Sequence, residues 1–567
     1  MPKTGREAIL DQMVADGMRY MFGNPGTVEQ GFLDAMAKQP ECRYVLALQE
    51  SIAVGMADGY ARATQKPTLV QLHSGVGLGN GVGMMYQALR GHAPLVVIAG
   101  ESGIRYDAMD AQMACDLVAI AKPVTKWATR VVDPSSVLRV LRRAVKIAST
   151  PPMGPVFVAL PADVLDAPNT EEVLPTSLLN TRVAPEPAGV AHAASLLVGA
   201  KKPMVIMGDG VAASDAQAEL SRIAQTLGAE VWGSDCSVVN IADEHPCYRG
   251  QLGHMFGSSS SKITTQADAV LIVGTYVFPE VFPNLSGVFA PGAKVVHIDL
   301  NAYEIAKNFP VDLGIVADPK ASLARIADAL DQIMTPQQKE AAHARVAQMA
   351  AAKEGARQEA LAKDRAVRDE VPMHASRFME ELSTKLPADA IIFDEGLTSS
   401  PEITRYIRPN RTGGFYQTRG GSLGVGFPGA LGVKLARPDK TVIGFSGDGG
   451  SMYTIQALWT AVRHDIGAKF VVCNNRSYML LKLNIMQYWK EQGIAEHAFP
   501  APFDLEKPEL RFDLLAQSMG VPSVRVERPA EVGPAIQKML ATEGPFLVDL
   551  VITNHVPGSK INCKCGL

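Results

Sequence analysis

Five short apolar runs punctuate the first 180 residues: Tyr20-Met-Phe22, Tyr44-Val-Leu-Ala-Leu48, Thr68-Leu-Val-Gln-Leu72, Leu95-Val-Val-Ile98 and Val156-Phe-Val-Ala-Leu160. Each is too short for a helix and almost free of polar positions, the pattern of a strand buried on both faces. Helical spacing fills the gaps, so the pattern predicts a parallel sheet covered by helices on both sides. Gly23-Asn24-Pro25-Gly26-Thr27, Ser74-Gly75-Val76-Gly77 and Gly100-Glu101-Ser102 read as turns at strand ends. Thr181 to Gly189, with Pro185 and Pro187, has linker character. A second α/β segment repeats the pattern in Met204-Val-Ile-Met207, Ala269-Val-Leu-Ile-Val273 and Lys294-Val-Val-His-Ile-Asp299. Residues 336–366 are rich in Ala, Gln, Glu, Lys and Arg, with Gly355 as their one glycine, and read as a solvent-facing connecting helix. The expected fold is α/β: three doubly wound parallel-sheet domains in series. They occupy 1–180, 190–335 and 372–553, with a helical linker at 336–371 and a tail at 554–567.

Bulk properties narrow the function classes. Lys+Arg of 54 against Asp+Glu of 58, net charge −4, offers no electrostatic case for nucleic acid or an anionic membrane. The longest apolar runs, such as Pro94 to Gly100, are too short to span a bilayer, and Met1 to Glu7 lead into an amphipathic helix pattern and not a signal peptide. Seven scattered cysteines, an odd number without zinc spacing, read as reduced thiols in the cytoplasm. The run Gly75-x-Gly77-x-Gly79-x-Gly81-x-Gly83 fails the dinucleotide pattern, because Asn80 or Val82 stands where its last glycine belongs.

The informative stretch lies in the third segment. The apolar run Thr441 to Phe445 leads into Gly447-Asp448-Gly449-Gly450, where the backbone can turn sharply and approach a ligand. Ile455, Leu458, Trp459 and Val462 follow at helical spacing. A second apolar run, Lys469 to Cys473, then ends in Asn474-Asn475, with Asn475 27 positions after Asp448. One right-handed strand–helix–strand unit of that length sets both residues at the carboxyl ends of neighbouring parallel strands. A carboxylate, an amide oxygen and glycine-freed N–H groups suit a hard divalent cation carrying a diphosphate. Gly208-Asp209-Gly210 also follows an apolar run, but 27 positions after Asp209 stands Cys236, with no Asn pair nearby.

Gly-Asp-Gly with Asn-Asn at this distance resembles the cofactor motif of the thiamine diphosphate-dependent decarboxylase/acetolactate synthase-like family. Phe22-Gly-Asn-Pro-Gly-Thr27, Leu46-Ala-Leu-Gln-Glu50 and Leu72-His73-Ser74 also resemble that family, most densely its benzoylformate decarboxylase branch, and the likeness covers nearly the whole chain. The resemblance implies pyrimidine-binding, middle Rossmann-like and diphosphate-binding domains, with thiamine diphosphate and Mg²⁺ as cofactors. It implies Asp448, Asn475 and the Ser477 carbonyl as metal ligands. Gly449, Gly450, Ser451 and Tyr453 would face the diphosphate from a helix N-terminus. Thr398 would touch it from a loop, the Gly421 carbonyl would accept from the 4′-amino group, and Leu423 would wedge the two rings together. Glu50 would hold a proton against the aminopyrimidine, in an apolar pocket that raises its pKa. His73 and Thr27 would face the substrate, Thr27 standing where the branch has Ser.

Two departures bear on the reaction. The branch's second active-site histidine, from the middle domain, has no counterpart in Tyr276 to Asn284, which leaves Glu280 or a water for its proton. The pocket wall reads Tyr478-Met479-Leu480-Leu481, bulkier than in the branch. One or two methylenes of misfit are worth about 1–3 kcal/mol of discrimination, which disfavours a phenyl group without excluding it. The expected activity is non-oxidative decarboxylation of a 2-oxo acid. Carboligation of the acetolactate synthase type or cleavage of a 2-hydroxyacyl-CoA are the alternatives, and a non-catalytic regulatory relative is disfavoured because Glu50, Asp448 and Asn475 are intact. The family's sites lie between subunits, so a homodimer or homotetramer is implied. Some relatives hold a vestigial FAD, ADP or CoA in the middle domain, which points to the region of Gly250 to His254.

Overall fold

The computed structural model describes residues 3–559 except 254, 277 and 279. Three six-stranded sheets occur in series. The first contains β1 (Tyr20–Gly23), β2 (Arg43–Leu46), β3 (Thr68–His73), β4 (Leu95–Glu101), β5 (Trp127–Arg130) and β6 (Val156–Pro161), ordered β2-β1-β3-β4-β6-β5. The second contains β7 (Pro203–Met207), β8 (Glu230–Gly233), β9 (Tyr248–Gln251), β10 (Ala269–Val273), β11 (Lys294–Asp299) and β12 (Leu313–Val316), ordered β12-β11-β10-β7-β8-β9. The third contains β13 (Ile391–Glu395), β14 (Phe415–Gln417), β15 (Val442–Gly447), β16 (Lys469–Asn474), β17 (Ser523–Val526) and β18 (Phe546–Val551), ordered β14-β13-β15-β16-β18-β17. Strands β15 and β16 pair in parallel, Gly447 opposite Cys473, so Asp448 and the Asn pair leave the sheet at one end.

Predicted strands include fully buried ones such as β4, β6, β7 and β10 and also β2, a partly exposed edge strand, whereas β13 and β18 are fully buried but not among the predicted strands. Strands β5, β9, β12 and β17 lie on sheet edges and are partly exposed, so no apolar run announces them. The connecting helix is present as Pro336–Val367.

Two local expectations are corrected. Ser74 to Gly77, read as a turn, opens a helix (Ser74–Arg90) that contains all five alternating glycines. Five glycines cost a helix about 1 kcal/mol each relative to Ala, and here several are required by close neighbours. A Cβ on Gly77 would lie 3.1 Å from Glu50 Oε1, and one on Gly81 3.0 Å from Leu72 Cδ1. After Asp448 the chain forms a four-residue helix (Asp448–Ser451) and then Ala457–Arg463. Val462 points out of it, 41% exposed, so it does not join the buried face of Leu458.

The chain divides into two compact units, one of residues 1–179, 368–403 and 418–567, the other of 180–367 and 404–417. The first and third sheet domains therefore share a unit. Their joint is the helix Glu50–Thr64 laid on the helix Gly426–Ala436. Glycine makes the crossing possible: a Cβ on Gly59 would lie 2.1 Å from Gly429 O, and one on Gly432 1.9 Å from Met56 O.

Candidate functional site

The first-domain candidates gather at the carboxyl ends of β1, β2 and β3. Glu50 is the first residue of its helix, and the preceding Gln49 caps that helix by accepting from Ser51 N–H at 2.6 Å. The Glu50 carboxyl is buried and receives two side-chain amides, Asn24 Nδ2 on Oε1 at 3.2 Å and Asn80 Nδ2 on Oε2 at 3.0 Å. Asn80 is fixed in turn, its carbonyl accepting from Ser51 Oγ at 2.6 Å. Sequence reading missed both asparagines, although each stands beside a glycine in a segment already singled out.

His73 ends β3 with its Nδ1 2.8 Å from Glu29 Oε2. Glu29 Oε1 accepts from Gly100 N–H at 2.9 Å. Burial pushes the Glu29 carboxyl up, while His73 and the Gly100 N–H pull it back. With Nδ1 tied to this acid, Nε2 is the nitrogen left for chemistry. The ring is pressed from the other side by Gly26, where a Cβ would sit 1.9 Å from Nδ1. Thr27 and Glu29 share one short turn (Thr27–Glu29), Thr27 exposed and Glu29 buried. Glu29 is a third residue that sequence reading missed. Its only signal is an acid two positions after Thr27.

The third-domain candidates form another group. Asp448 Oδ2 and Asn475 Oδ1 both accept from the Ser477 N–H, at 3.1 and 2.9 Å, so the two oxygens converge. Arg476, at φ 57°, bends the chain back to make this possible. Asp448 Oδ1 accepts from Gly449 N–H at 2.7 Å, and burial pushes the carboxyl up to about 6. The first Asn of the pair does something else: Asn474 Nδ2 donates to Asp549 Oδ1 at 2.9 Å within the core. Space lies open over the turn, with no atom within 4 Å of where a Gly447 Cβ would point. On Gly449 the Tyr478 ring would meet a Cβ at 2.3 Å. A carboxylate and an amide oxygen converging at an open glycine turn fit a hard cation such as Mg²⁺. Among the described residues no three His, Cys, Asp or Glu side chains cluster so as to hold a metal ion by themselves.

Around this group the predicted diphosphate contacts sort themselves. Gly449, Gly450 and Ser451 are buried in the four-residue helix, and the Ser451 hydroxyl donates to Gly447 O at 2.8 Å. Its hydroxyl proton is therefore engaged inside the turn. Tyr453 is 57% exposed. Thr398 lies half-buried in the turn Leu397–Ser399 that follows β13. Gly421, at φ 73°, is exposed, and Leu423 is half-buried. Gln87, from the Ser74–Arg90 helix, accepts at Oε1 from Gly420 N–H at 2.5 Å and from Arg419 N–H at 3.3 Å. Met479 and Leu480 begin the helix Met479–Gln492, Met479 buried and Leu480 half-buried. Among the described residues no hydrogen bond or ion pair joins the Glu50 and His73 group to the Asp448 and Asn475 group within one chain.

In the second unit, Glu280 is buried and its Oε1 accepts from the Ser260 hydroxyl, while its Oε2 has no partner among the described residues. Gly250 and Gln251 lie in β9, and His254 lies outside the described residues, as does the tail from 560 on. Among the described residues five cysteines are in no disulfide, and no helix there is long and apolar enough to cross a membrane.

The chain matches three family descriptions: thiamine pyrophosphate enzyme, N-terminal TPP binding domain, over residues 3–120; central domain over 190–326; and C-terminal TPP binding domain over 398–550. It is 29% identical over 553 residues to a benzoylformate decarboxylase of Pseudomonas aeruginosa, covering 97% of this chain and 98% of that one. It is 28% identical to the acetolactate synthase isozyme 3 large subunit of Escherichia coli K12, over 95% of this chain and 92% of that one. A thiamine diphosphate-dependent 4-hydroxybenzoylformate decarboxylase structure from Rhodococcus jostii RHA1 superposes with a TM-score of 0.82 at 26% identity, covering 98% of this chain and all of the other. With its three sheets and its Asp448 and Asn475 turn pair, the chain belongs to the thiamine pyrophosphate-dependent enzymes that include decarboxylases and acetolactate synthases.

Proposed function

We propose that the protein is a thiamine diphosphate- and Mg²⁺-dependent decarboxylase of a 2-oxo acid. The observation that carries this reading is the His73–Glu29 pair beside Thr27, 2.8 Å from ring nitrogen to carboxylate. An imidazole held by a carboxylate and a hydroxyl on one turn-and-strand edge would serve to protonate a product and to grip a substrate carboxylate. Thiamine diphosphate, when bound, supplies the nucleophilic carbon and the electron sink that loss of carbon dioxide needs. The chain's own part is positional. Asp448, Asn475 and the Ser477 carbonyl would hold Mg²⁺, and the N–H groups of Gly449 and Gly450, with Thr398, would meet the diphosphate. Gly421 and Leu423 would seat the aminopyrimidine, and Glu50, gripped by Asn24 and Asn80, would hold its proton there. Thr27 would orient the substrate carboxylate, and His73 Nε2 would give the product its proton. Leu480 and Met479 would bound the substrate side chain.

The protein acts, on this reading, in the cytoplasm as a homodimer or homotetramer with Glu50 facing the cofactor of another copy. Support comes from the exposed Gly79 and Gly83 on the Glu50-side helix, flanked by exposed Val76 and Tyr86, a surface suited to close helix packing. Carboligation of the acetolactate synthase type is the second reading. It is favoured by Glu280 being bonded to Ser260 and by the missing middle-domain histidine, which leave His73 as the single proton donor named here.

The deciding experiment measures carbon dioxide release from pyruvate, branched-chain 2-oxo acids and benzoylformate, each with and without an aldehyde acceptor. Steady release with aldehyde formed in the absence of acceptor establishes the decarboxylase. Release that requires the acceptor establishes the carboligase, and no release from any acid refutes both and points to 2-hydroxyacyl-CoA cleavage.

A further inference from the structure

One buried acid without a role so far stands beneath the loop that carries Gly421 and Leu423. Glu395 ends β13 and is 1% exposed. Its Oε1 accepts from the Gly424 N–H, and its Oε2 from the Gly426 N–H at 2.7 Å and the Ser446 hydroxyl at 3.1 Å. Among the described residues no cation pairs with it. Burial pushes the carboxyl up to about 7 in spite of those three donors. A buried carboxyl is a costly way to fill a core, and replacing it by an apolar side chain of the same volume would leave two backbone N–H groups unpartnered. Its two backbone partners lie on one short segment. Gly424 is held at φ 93° with its own carbonyl accepting from Thr454 Oγ1 at 2.6 Å, and Gly421 turns at φ 73° with no atom within 4 Å of a Cβ position. Gln87 grips the same loop at Arg419 and Gly420. The loop is thus fastened at both ends, with the exposed Gly421 and the half-buried Leu423 between them.

We propose that Glu395 is a positioning residue for the cofactor: its two carboxyl oxygens fix Gly424 and Gly426, and thereby aim the Gly421 carbonyl and the Leu423 side chain at the aminopyrimidine. This rests on the reading of Gly421 and Leu423 given above. A residue that only stabilises the sheet would affect folding and leave the bound cofactor's geometry alone. Glu395 differs in acting on how the cofactor is held.

The test uses the full-length chain with thiamine diphosphate titrated at fixed Mg²⁺, read by calorimetry and by the near-ultraviolet circular dichroism of the bound cofactor. In Glu395→Gln one acceptor oxygen becomes a donor. The cofactor dissociation constant is expected to rise about 10- to 100-fold, and the dichroic band to change. Ile443→Ala, a fully buried β15 residue away from the loop, serves as the stability control and is expected to bind as wild type. If Glu395→Gln cannot be folded, Ser446→Ala removes the hydroxyl shared between Oε2 and, at 3.3 Å, the Gly447 carbonyl, and is expected to raise the constant about three-fold and to change the dichroic band, with Mg²⁺ affinity in a separate titration held at the wild-type value. Unchanged affinity and dichroism in Glu395→Gln, or in Ser446→Ala where it stands in, overturns the proposal, as does equal loss in Ile443→Ala. Leu423→Ala separates the two readings. If it alters the signal while Glu395→Gln does not, the cofactor reading stands and the proposal falls. If the wild-type chain binds no thiamine diphosphate, the reading of Gly421 and Leu423 itself has failed.

Discussion

The chain contains Gly-Asp-Gly twice, each at the carboxyl end of a central parallel strand, and the two copies end up as different objects. Asp209 is filled from within the protein: Ser237 donates N–H at 3.0 Å and also its hydroxyl, and Asn240 donates Nδ2 at 2.9 Å. Its glycines are filled too, a Gly208 Cβ meeting Thr275 Cβ at 2.3 Å and a Gly210 Cβ meeting Gly274 Cα at 2.6 Å. Among the described residues Asp448 has only backbone partners, and Asn475 turns its oxygen, not its nitrogen, toward the same N–H. Over Gly447 nothing stands within 4 Å. The amide's direction makes the difference. An asparagine that donates to the aspartate completes a closed structural turn, whereas one that lines up its oxygen with the carboxylate leaves a cation to complete the set.

The sharpest way to break this comparison is the same substitution in both turns. Asp448→Asn is expected to lower kcat/KM at least about 100-fold, by about 3 kcal/mol or more of lost cation and diphosphate binding, with the apo protein losing less stability than Asp209→Asn does, because neutralising a buried carboxyl offsets the amide donor that then faces the Gly449 or Ser477 N–H. Asp209→Asn is expected to leave kcat per folded molecule intact and to lower unfolding stability by about 1–3 kcal/mol, since an acceptor is exchanged for a donor facing donors. Steady-state rates and apo melting curves check both, and the reverse pattern would sink the assignment.

The asparagines should follow their aspartates with smaller effects. Asn475→Ala is expected to weaken Mg²⁺ binding about ten-fold in a calorimetric titration, while Asn240→Ala costs about 1–2 kcal/mol in denaturant unfolding and nothing in Mg²⁺ affinity.

A pH series sharpens the same point. The folded Asp448 carboxyl titrates at about 6, above its ordinary value, so between about pH 4 and 6 the folded apo state binds more protons than the unfolded one. Apo stability from this group is therefore fully present at the acid end and is lost as pH rises toward 6, at about 1.4 kcal/mol per unit. A cation requires the ionised form, so its affinity should fall about ten-fold per unit below pH 6 and level off above. Titrations at pH 5 and 7.5 measure the difference.

Gly447→Ala, pointing into open space, should cost under about 1 kcal/mol of stability, and Gly208→Ala, driven against Thr275, about 1–3 kcal/mol. Paired denaturant curves would show it.

Much of this was legible in the amino-acid order, for identifiable reasons. Central strands such as Val156 to Leu160 announce themselves because burial on both faces removes every polar position. Asp448 and Asn475 are legible because one crossover unit fixes their separation. Glu29, Asn24, Asn80, Gln87 and Glu395 were not legible. Each acts on a residue far along the chain, Glu29 on His73 and Glu395 on Gly424, and only the sheet register brings such partners together. The glycines of Ser74–Arg90 misled in the other direction. Local propensity favours a turn there, and tertiary contacts with Glu50 and Leu72 override it.

The joint between the Glu50 helix and the Gly426–Ala436 helix has its own consequence for how such an enzyme can change. Because backbone lies directly on backbone there, no side chain is present to absorb an error. A methyl added at Gly59 would have to push Gly429 O away by about 1 Å, carrying the cofactor loop with it. Substitution should therefore be tolerated far more readily at half-buried side chains such as Leu480 than at this joint, whose frame stays fixed.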